Sequence, residues 1–389
     1  MKHRRRLFHT KDIYNLPPTD NVFVNAMKEN LAFHMQRCGE YRDMLAHFGY
    51  DGADALRDID DLSGIPPLPA SYLKNRTMLS KPYESLLIKT TSSGTSASGG
   101  NKTLSGFDVG SALCGLSMIL KVFKHHRLIS LRRTNYIILG YQPNKTNQTA
   151  MAKALKGFTL FAPAKSITYA LEAHGDDYKV NEEGVINAVL AYGKQRNPVR
   201  IIGFPAYFKM LVDELDKREI RLKLHPASKV LLGGGWKSFF SDEISKDELF
   251  ELAHRVLGIR LQNFKDHFST AEHPINYIAC ENHNFHVPVF SRVIIRDVNT
   301  LAPVPYGVPG LLNLISPLLT SAPYGSILTD DIAVMRCGGK CDNADGECDN
   351  AGGECGCGIM SPYFTIIGRV GLASIKTCTQ VASEYLKSI

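Results

Sequence analysis

The sequence predicts an α/β fold with a parallel sheet flanked by helices, and three observations carry that prediction. Between about residue 80 and residue 285, short apolar runs alternate with amphipathic helical stretches, the pattern of strands joined by crossover helices. Hydrophobic content of 44% and charged content of 21% are those of an ordinary globular protein. After residue 285 the apolar runs shorten and helical spacing gives way to a smaller, more β-rich subregion.

Residues 1–75 form the first region. "NVFVNAMKENLAFHMQRCGEYRDMLAHFG", residues 21–49, places apolar side chains at three- and four-residue intervals and ends in glycine, a helical signature. "SGIPPLPASYLKN", residues 63–75, then breaks the pattern with three prolines. "TNYIILGY", "PVRIIGF", "SKVLLGGG" and "IRLQNF" read as buried strands, because each is a continuous apolar run rather than an alternating one. "MAKALKGF", "EEGVINAVLAYGKQ" and "AYFKMLVDELDKREI" read as the helices between them. "HVPVFSRVIIRDVN" and "GVPGLLNLISPL" supply the later strands. The expected organisation is a helical region at 1–75, a main domain at 76–370 with a cysteine-rich insertion at 337–358, and a tail at 371–389.

Charge and cysteine usage exclude several classes. The net charge of +7 is concentrated in "KHRRR" at the N-terminus and "KHHRLISLRR" at residues 124–133. Aromatic side chains do not interleave these patches as base-stacking readers would, so no nucleic-acid partner is expected. The N-terminus has a basic head without an apolar core behind it, so it is not a secretion signal. No run approaches the length of a membrane span, and the expected location is cytoplasmic. Nine cysteines without a secretion signal point to thiol or metal chemistry rather than a disulfide framework. Cys38 and Cys114 sit among apolar neighbours as core thiols, whereas five others crowd into 337–357. The tandem "CDNADGE" and "CDNAGGE" fails as a calcium loop, because Ala344 interrupts the oxygen ligands.

"TTSSGTSASGGNK", residues 90–102, holds seven hydroxyls, three glycines and a terminal lysine, Lys102. Such composition makes either a flexible linker or a loop that wraps phosphate with backbone amides and hydroxyls. Its position after an apolar run, "YESLLIKT", suits the second. "KVLLGGGWK" ends a strand in Gly233, Gly234 and Gly235, followed by the sole tryptophan and Lys237. Glycines there let a flat ring or a phosphate approach the backbone. "DHFSTAEHP" gathers Phe268, Thr270 and Glu272, and "SILTDDIAV" and "FTIIGRVG" contribute Asp331 and Arg369.

In this order the stretches resemble the adenylate-forming superfamily, which activates carboxylic acids with ATP. "SSGTSASGGNK", "GGGWK", "FSTAE", "TDD" and "GR" stand for its phosphate loop, adenine loop, Tyr-Gly-x-Thr-Glu, Thr-Gly-Asp and Gly-Arg motifs. Phe268 replaces the usual tyrosine. The resemblance implies that Ser92, Ser93, Gly94, Thr95 and Ser96 hold the triphosphate beside Lys102, and that Gly233 to Gly235 line the adenine. It also implies that Glu272 holds Mg²⁺, Thr270 lies by the phosphate, Phe268 stacks on adenine, and Asp331 and Arg369 bind the ribose.

Two branches are similar. "YIACENHNFHV" and "ECGCG" look like the cysteine/histidine elements of phenylacetate–CoA ligases. "GGGWKSF" and the ending "GRVGLASIKTCTQ" look like the LuxE-type acyl-protein synthetases. Only twenty residues follow Arg369, so the mobile C-terminal domain with its catalytic lysine is expected to be truncated or absent. That favours the second branch, with Lys237 as the replacement lysine. In such enzymes a cysteine after the Gly-Arg accepts the acyl group as a thioester. Cys378 holds that place here, with Lys376 two residues earlier to lower its pKa and Thr377 where the family usually has glycine.

The similarity to the ligases further implies a structural Zn²⁺ on Cys280, His286, Cys355 and Cys357. Cys337, Cys341 and Cys348 stand as alternatives, and His283 could replace His286. The expected activity is ATP- and Mg²⁺-dependent activation of a carboxylic acid, a fatty acid by preference. Delivery then runs through Cys378 to a protein acceptor such as an acyl reductase. The alternatives are a ligase to CoA or a carrier protein, and a non-catalytic zinc-stabilised scaffold.

Overall fold

The computed structural model describes residues 1–74, 76–92, 103–144, 147, 149–234, 244–339 and 355–370. The chain divides into two compact units, one formed by Met1–Val122, Thr270–Tyr277 and the chain from Asn284 onward, the other by Phe123–Ser269 and Ile278–His283.

The second unit contains the parallel sheet. Its strands Phe264–Phe268, Lys229–Gly233, Val199–Gly203, Thr134–Tyr141 and Ala164–His174 lie in that order and run parallel, and Asp177–Val180 closes the edge antiparallel. The central strands are buried along their length because helices cover both faces. Ile137, Ile201, Val230 and Phe264 stand in register across four of them, and all are inaccessible to solvent. Helices Ala150–Phe158, Glu182–Gly193, Pro205–Lys217 and Lys246–Leu257 alternate with the strands. The last has both of its ends specified by sequence. Ser245 and Glu248 form a reciprocal capping box, and Gly258 stops the helix in the left-handed conformation.

The expected strands at 134–141, 198–204 and 228–235 are present within a residue or two of their predicted bounds. "IRLQNF" is different: Leu261–Asn263 is a 3-10 turn, and the strand begins at Phe264. Its residues FKDHF look polar because Lys265 and Asp266 are buried charged side chains within it, while His267 and Phe268 are partly exposed where the strand reaches the sheet's C-terminal edge. The eleven-residue strand Ala164–His174 carries mostly exposed and half-exposed residues, and it was not visible as an apolar run.

The first unit is built on an antiparallel sheet in the order Phe285–His286, Tyr363–Arg369, Ser326–Arg336, Gly310–Ile315 and Arg292–Arg296, with Leu68–Pro69 pairing parallel to Ser326–Arg336. A separate hairpin pairs Ile88–Thr91 with Leu104–Phe107. The N-terminal region is helical but not continuous: Asp20–Arg37 and Gly39–His47 are separated at Cys38, which is extended, and the basic head forms its own helix, Lys2–Phe8.

Polar anchors dock these helices on the sheet. Arg292 donates to Asp20 at 2.6 Å while its guanidinium covers the Phe23 ring. The Asn30 amide donates to the Leu319 carbonyl at 2.8 Å. The buried His34 ring meets the Ser80 hydroxyl at 2.6 Å and the Leu319 carbonyl at 3.2 Å. Burial, with Arg4 and Lys81 nearby, pushes His34 from 6.5 down to about 4. The folded state therefore resists a proton that the unfolded chain accepts, and stability is lost as pH falls from about 6.5 towards 4. Replacing His34 by Gln is expected to flatten that loss. Urea midpoints at pH 7.5 and pH 5 check this, and an unchanged difference between them in the variant would refute it.

Candidate active site and cysteine–histidine cluster

In the first unit the hairpin fixes where the hydroxyl-rich loop begins and ends. The Ser92 amide donates to the Thr103 carbonyl at 3.0 Å, and the Thr103 amide donates to Ser92 Oγ at 2.9 Å. Ser93, Gly94, Thr95, Ser96 and Lys102 lie outside the described residues. Thr103 is fully buried at the base of the loop, and its hydroxyl faces the Glu272 carboxylate.

Glu272 is 5% exposed. It sits in a turn that Thr270 ties off: the His273 amide donates to Thr270 Oγ1 at 2.9 Å, and the Thr270 amide donates to the His273 carbonyl. Burial pushes the Glu272 carboxyl up. Its own amide, the Thr103 hydroxyl, Lys74 and the Thr270 hydroxyl pull the other way. A carboxylate so desolvated favours any cation brought to it.

Asp331 and Arg369 are direct register partners on neighbouring strands. Arg369 Nε stands 3.7 Å from Asp331 Oδ1, and its Nη2 stands 3.7 Å from Asp330 Oδ2. Asp330 also faces Lys74 Nζ at 3.8 Å, and that lysine side chain is only 11% exposed. Burial raises the Asp331 carboxyl, against the pull of Arg369. The unit sets Lys74 beside Asp330, and the lysine's charge pulls on the carboxyls of both Glu272 and Asp331. Lys74 and Asp330 were missed by sequence reasoning. No local pattern marks Lys74, which closes a four-residue helix after the proline-rich stretch.

Beside this group, His273, Tyr277 and Ser291 form a buried chain: His273 Nε2 lies 3.0 Å from the Tyr277 hydroxyl, which lies 2.5 Å from Ser291 Oγ. It fastens the Thr270–Tyr277 segment to the sheet.

In the second unit, Gly233 and Phe268 stand at the C-terminal ends of adjacent parallel strands, where open α/β sheets bind ligands. Gly233 pairs with His267, and a side chain at Gly233 would collide with the His267 carbonyl. Gly234 adopts φ +87°, and a Cβ there would press on Met151 and Phe204. These glycines are required by backbone geometry. Gly235 and Lys237 lie outside the described residues, as do Cys378 and its neighbours Lys376 and Thr377.

Of the cysteine–histidine set, His286, Cys355 and Cys357 come together in the first unit, with their ligating atoms within 4.8 Å of one another. His286 Nε2 is 3.2 Å from Cys357 Sγ, while Nδ1 faces the Ser361 carbonyl at 2.8 Å. A proton on Nδ1 leaves the Nε2 lone pair directed at the Cys357 thiol, the arrangement in which a histidine binds a metal. Ligands on a tetrahedral zinc stand about 3.6 Å apart, so the group fits that ion. Cys280 is buried on the segment Ile278–His283 of the other unit. His283 packs on Phe250 and is not part of the cluster. Cys337 is described and is not among the grouped residues; Cys341 and Cys348 lie outside the described residues.

The architecture is that of the adenylate-forming ligases. Structures of 2-hydroxyisobutyryl-CoA ligase superpose with a TM-score of 0.64 at 14% identity, covering 92% of this chain and 72% of that one in the open conformation. The postadenylation form gives the same TM-score and identity, with 69% of that chain covered. Sequence then narrows the class. The family model for acyl-protein synthetase, LuxE, matches residues 17–387, and the chain belongs to that family. Among its relatives are the long-chain-fatty-acid–luciferin-component ligases of Aliivibrio fischeri and Vibrio harveyi. The first is 24% identical over 317 residues, 80% of this chain and 78% of the relative. The second is 23% identical over 337 residues, 84% and 82%. The chain is accordingly a ligase that activates an acyl group with ATP.

The buried carboxylates predict a separation of stability from activity. A carboxyl whose pKa is raised by folding binds its proton more tightly in the native state, so its burial opposes folding increasingly as pH rises from the ordinary carboxyl value, 4.5, through the raised one. Glu272→Gln is expected to raise the ligand-free melting temperature at pH 8 more than at pH 5, and to lower ATP–pyrophosphate exchange about a hundredfold. A variant destabilised at both pH values would contradict the first part; unchanged exchange would contradict the second.

Proposed function

We propose that the protein activates a long-chain fatty acid as its adenylate, takes the acyl group onto Cys378, and passes it to a protein acceptor. A carboxylate oxygen attacks the α-phosphorus of ATP and pyrophosphate leaves. The Cys378 thiolate then attacks the acyl carbonyl carbon, and AMP departs with the electron pair of the broken C–O bond. The observation that carries this reading is the grouping of Glu272, Thr270, Asp331, Arg369 and Lys74 in the unit where the hydroxyl-rich loop is rooted. Family membership supports the acceptor being protein, and the names of the relatives support a fatty acid.

The proposed roles follow the chemistry of each group. Ser92, Ser93, Gly94, Thr95, Ser96 and Lys102 surround the triphosphate. Glu272 carries Mg²⁺, which supplies charge for the developing pyrophosphate, with Thr270 at the phosphate. Gly233, Gly234, Gly235 and Phe268 receive adenine. Asp331 accepts from the ribose hydroxyls, and Arg369 neutralises it. Lys74 joins Lys237 as a cation available to the phosphates. An acyl reductase is the proposed acceptor.

The test is intact-protein mass after incubation with ATP, Mg²⁺ and a mixture of fatty and aryl acids. The expected result is a hydroxylamine-labile adduct of fatty-acyl mass, absent from Cys378→Ala. AMP release without an adduct would move the acceptor to CoA or a carrier protein. Absence of AMP and of pyrophosphate exchange would leave only the scaffold reading.

We also propose that His286, Cys355 and Cys357 hold a structural Zn²⁺ together with Cys280, six residues before His286 in the chain. Four protein ligands leave no open position, so the ion's work is folding, with apparent binding on the order of 10 kcal/mol. The purified chain is expected to carry one zinc by elemental analysis. Cys357→Ser should lose it and melt at lower temperature, with catalysis per folded molecule retained. A metal-free wild type of equal stability would overturn the proposal.

A further inference from the structure

The helix Val109–His125 is apolar on more than one side. Its inner face, Ser111, Cys114, Met118 and Val122, is buried. On the opposite side Val109, Leu113, Leu116 and Leu120 are exposed by 63%, 62%, 52% and 43%. Their spacing of four, three and four residues confines them to about 60° of the helix circumference. No charged residue occurs in the helix before Lys121. A helix apolar on two faces is normally covered on both, and four contiguous aliphatic side chains mark a surface that awaits a partner.

The flank of this stripe says what kind of partner. Ser117 and Lys121 lie on one side of the helix, between stripe and core. Both donate to the Phe8 carbonyl, at 2.7 Å each. Arg4 of the same N-terminal helix reaches Ser111 at 3.3 Å and the Leu318 carbonyl at 3.1 Å. The end of the helix Lys2–Phe8 therefore meets one flank of the stripe, and an open surface hollow on that helix is lined by Met1, Lys2, Arg5, Arg6 and His9. The nearby acids are already engaged: Glu29 accepts from the backbone amides of Lys2 and His3, at 2.9 and 3.1 Å, and Asp108 accepts from the Ser111 amide and pairs with Lys81.

We propose that this stripe and its basic border form a docking surface for an amphipathic helix of a partner protein, one that presents a heptad seam with carboxylates along one side. The narrow width decides for a helix. A seam of this kind receives knobs from a facing helix, whereas helices that lie in a bilayer interface present a broad apolar face rich in aromatic residues. The charge decides against a second copy, whose stripe is bordered by the same cations and offers no counter-charge. The proposal does not depend on which acid is activated or on the role of Cys378.

The test uses the full chain and two labelled synthetic helices of three heptads, both with leucine at the seam. One is bordered by glutamate and the other by lysine. Fluorescence anisotropy should show the glutamate helix binding at least tenfold more tightly. Leu113→Glu combined with Leu116→Glu should weaken it at least tenfold, while ATP–pyrophosphate exchange stays at the wild-type rate. Arg5→Glu combined with Arg6→Glu should reverse the order of the two peptides. Equal binding of both peptides, or an order that survives the charge reversal, overturns the proposal. Sedimentation with phosphatidylglycerol vesicles that the leucine variant abolishes would assign the stripe to a membrane instead. A concentration-dependent dimer abolished by the same variant would assign it to a second copy.

Discussion

Glu272, Asp330 and Asp331 are carboxylates held in one unit where little water reaches them, and among the described residues Lys74 and Arg369 are the cations set against them. Desolvation of like charges is expensive unless something answers it, and much of the first unit is arranged to supply the answer. Asp331 and Arg369 face each other only because Ser326–Arg336 and Tyr363–Arg369 keep one antiparallel register, with an irregularity at Ile332 and Ala333 beside the pair. Lys74 is available only because Leu68–Pro69 joins the same sheet and the short helix Ala70–Leu73 follows it. The N-terminal helices are thus part of the same unit. Their anchors at Asp20, Asn30 and His34 set the position of the chain that leads to Lys74.

How much of this could be read from the sequence depended on how far apart the cooperating residues lie. The parallel sheet was legible because a strand buried on both faces must be apolar throughout, and "TNYIILGY" and "PVRIIG" announce that locally. Ala164–His174 failed the same test because it lies next to the edge of its sheet, where water permits polar residues. Glu272, Thr270, Asp331 and Arg369 were legible as members of ordered motifs, and the structure gathers them. Lys74 was not, since its only distinction is proximity to Asp330, more than 250 positions away. The split of the N-terminal helix at Cys38 was equally hidden, because the apolar spacing runs through the break.

The cysteine cluster shows a different economy. His286 stands on a two-residue strand paired with Tyr363, and the Cys355–Cys357 turn leads directly into the strand that ends in Arg369. A metal at these ligands would fasten the start of the same strand whose far end carries the arginine. Gly356 and Gly358 both adopt positive φ there, a conformation that suits a tight turn presenting two thiols on one side. A metal there would therefore bear on the register that opposes Asp331 to Arg369.

The apolar helix is tied to the loop hairpin just as closely. Strand Leu104–Phe107 ends one residue before Val109, and the intervening Asp108 caps the helix by accepting from the Ser111 amide at 2.8 Å. Asp108 is also paired with Lys81; against its burial, the Lys81 and Ser111 contacts hold its carboxyl well below the usual range. Further along, a Cβ at Gly115 would stand 3.3 Å from the Phe107 ring, so helix and strand end pack without slack. Close-packed elements move together or not at all. A protein seated on Val109, Leu113, Leu116 and Leu120 would therefore bear on the strand Leu104–Phe107, which follows the hydroxyl-rich loop. The proposed docking stripe and the hairpin at the base of the hydroxyl-rich loop are thus joined by one short stretch of chain, Leu104–Val109.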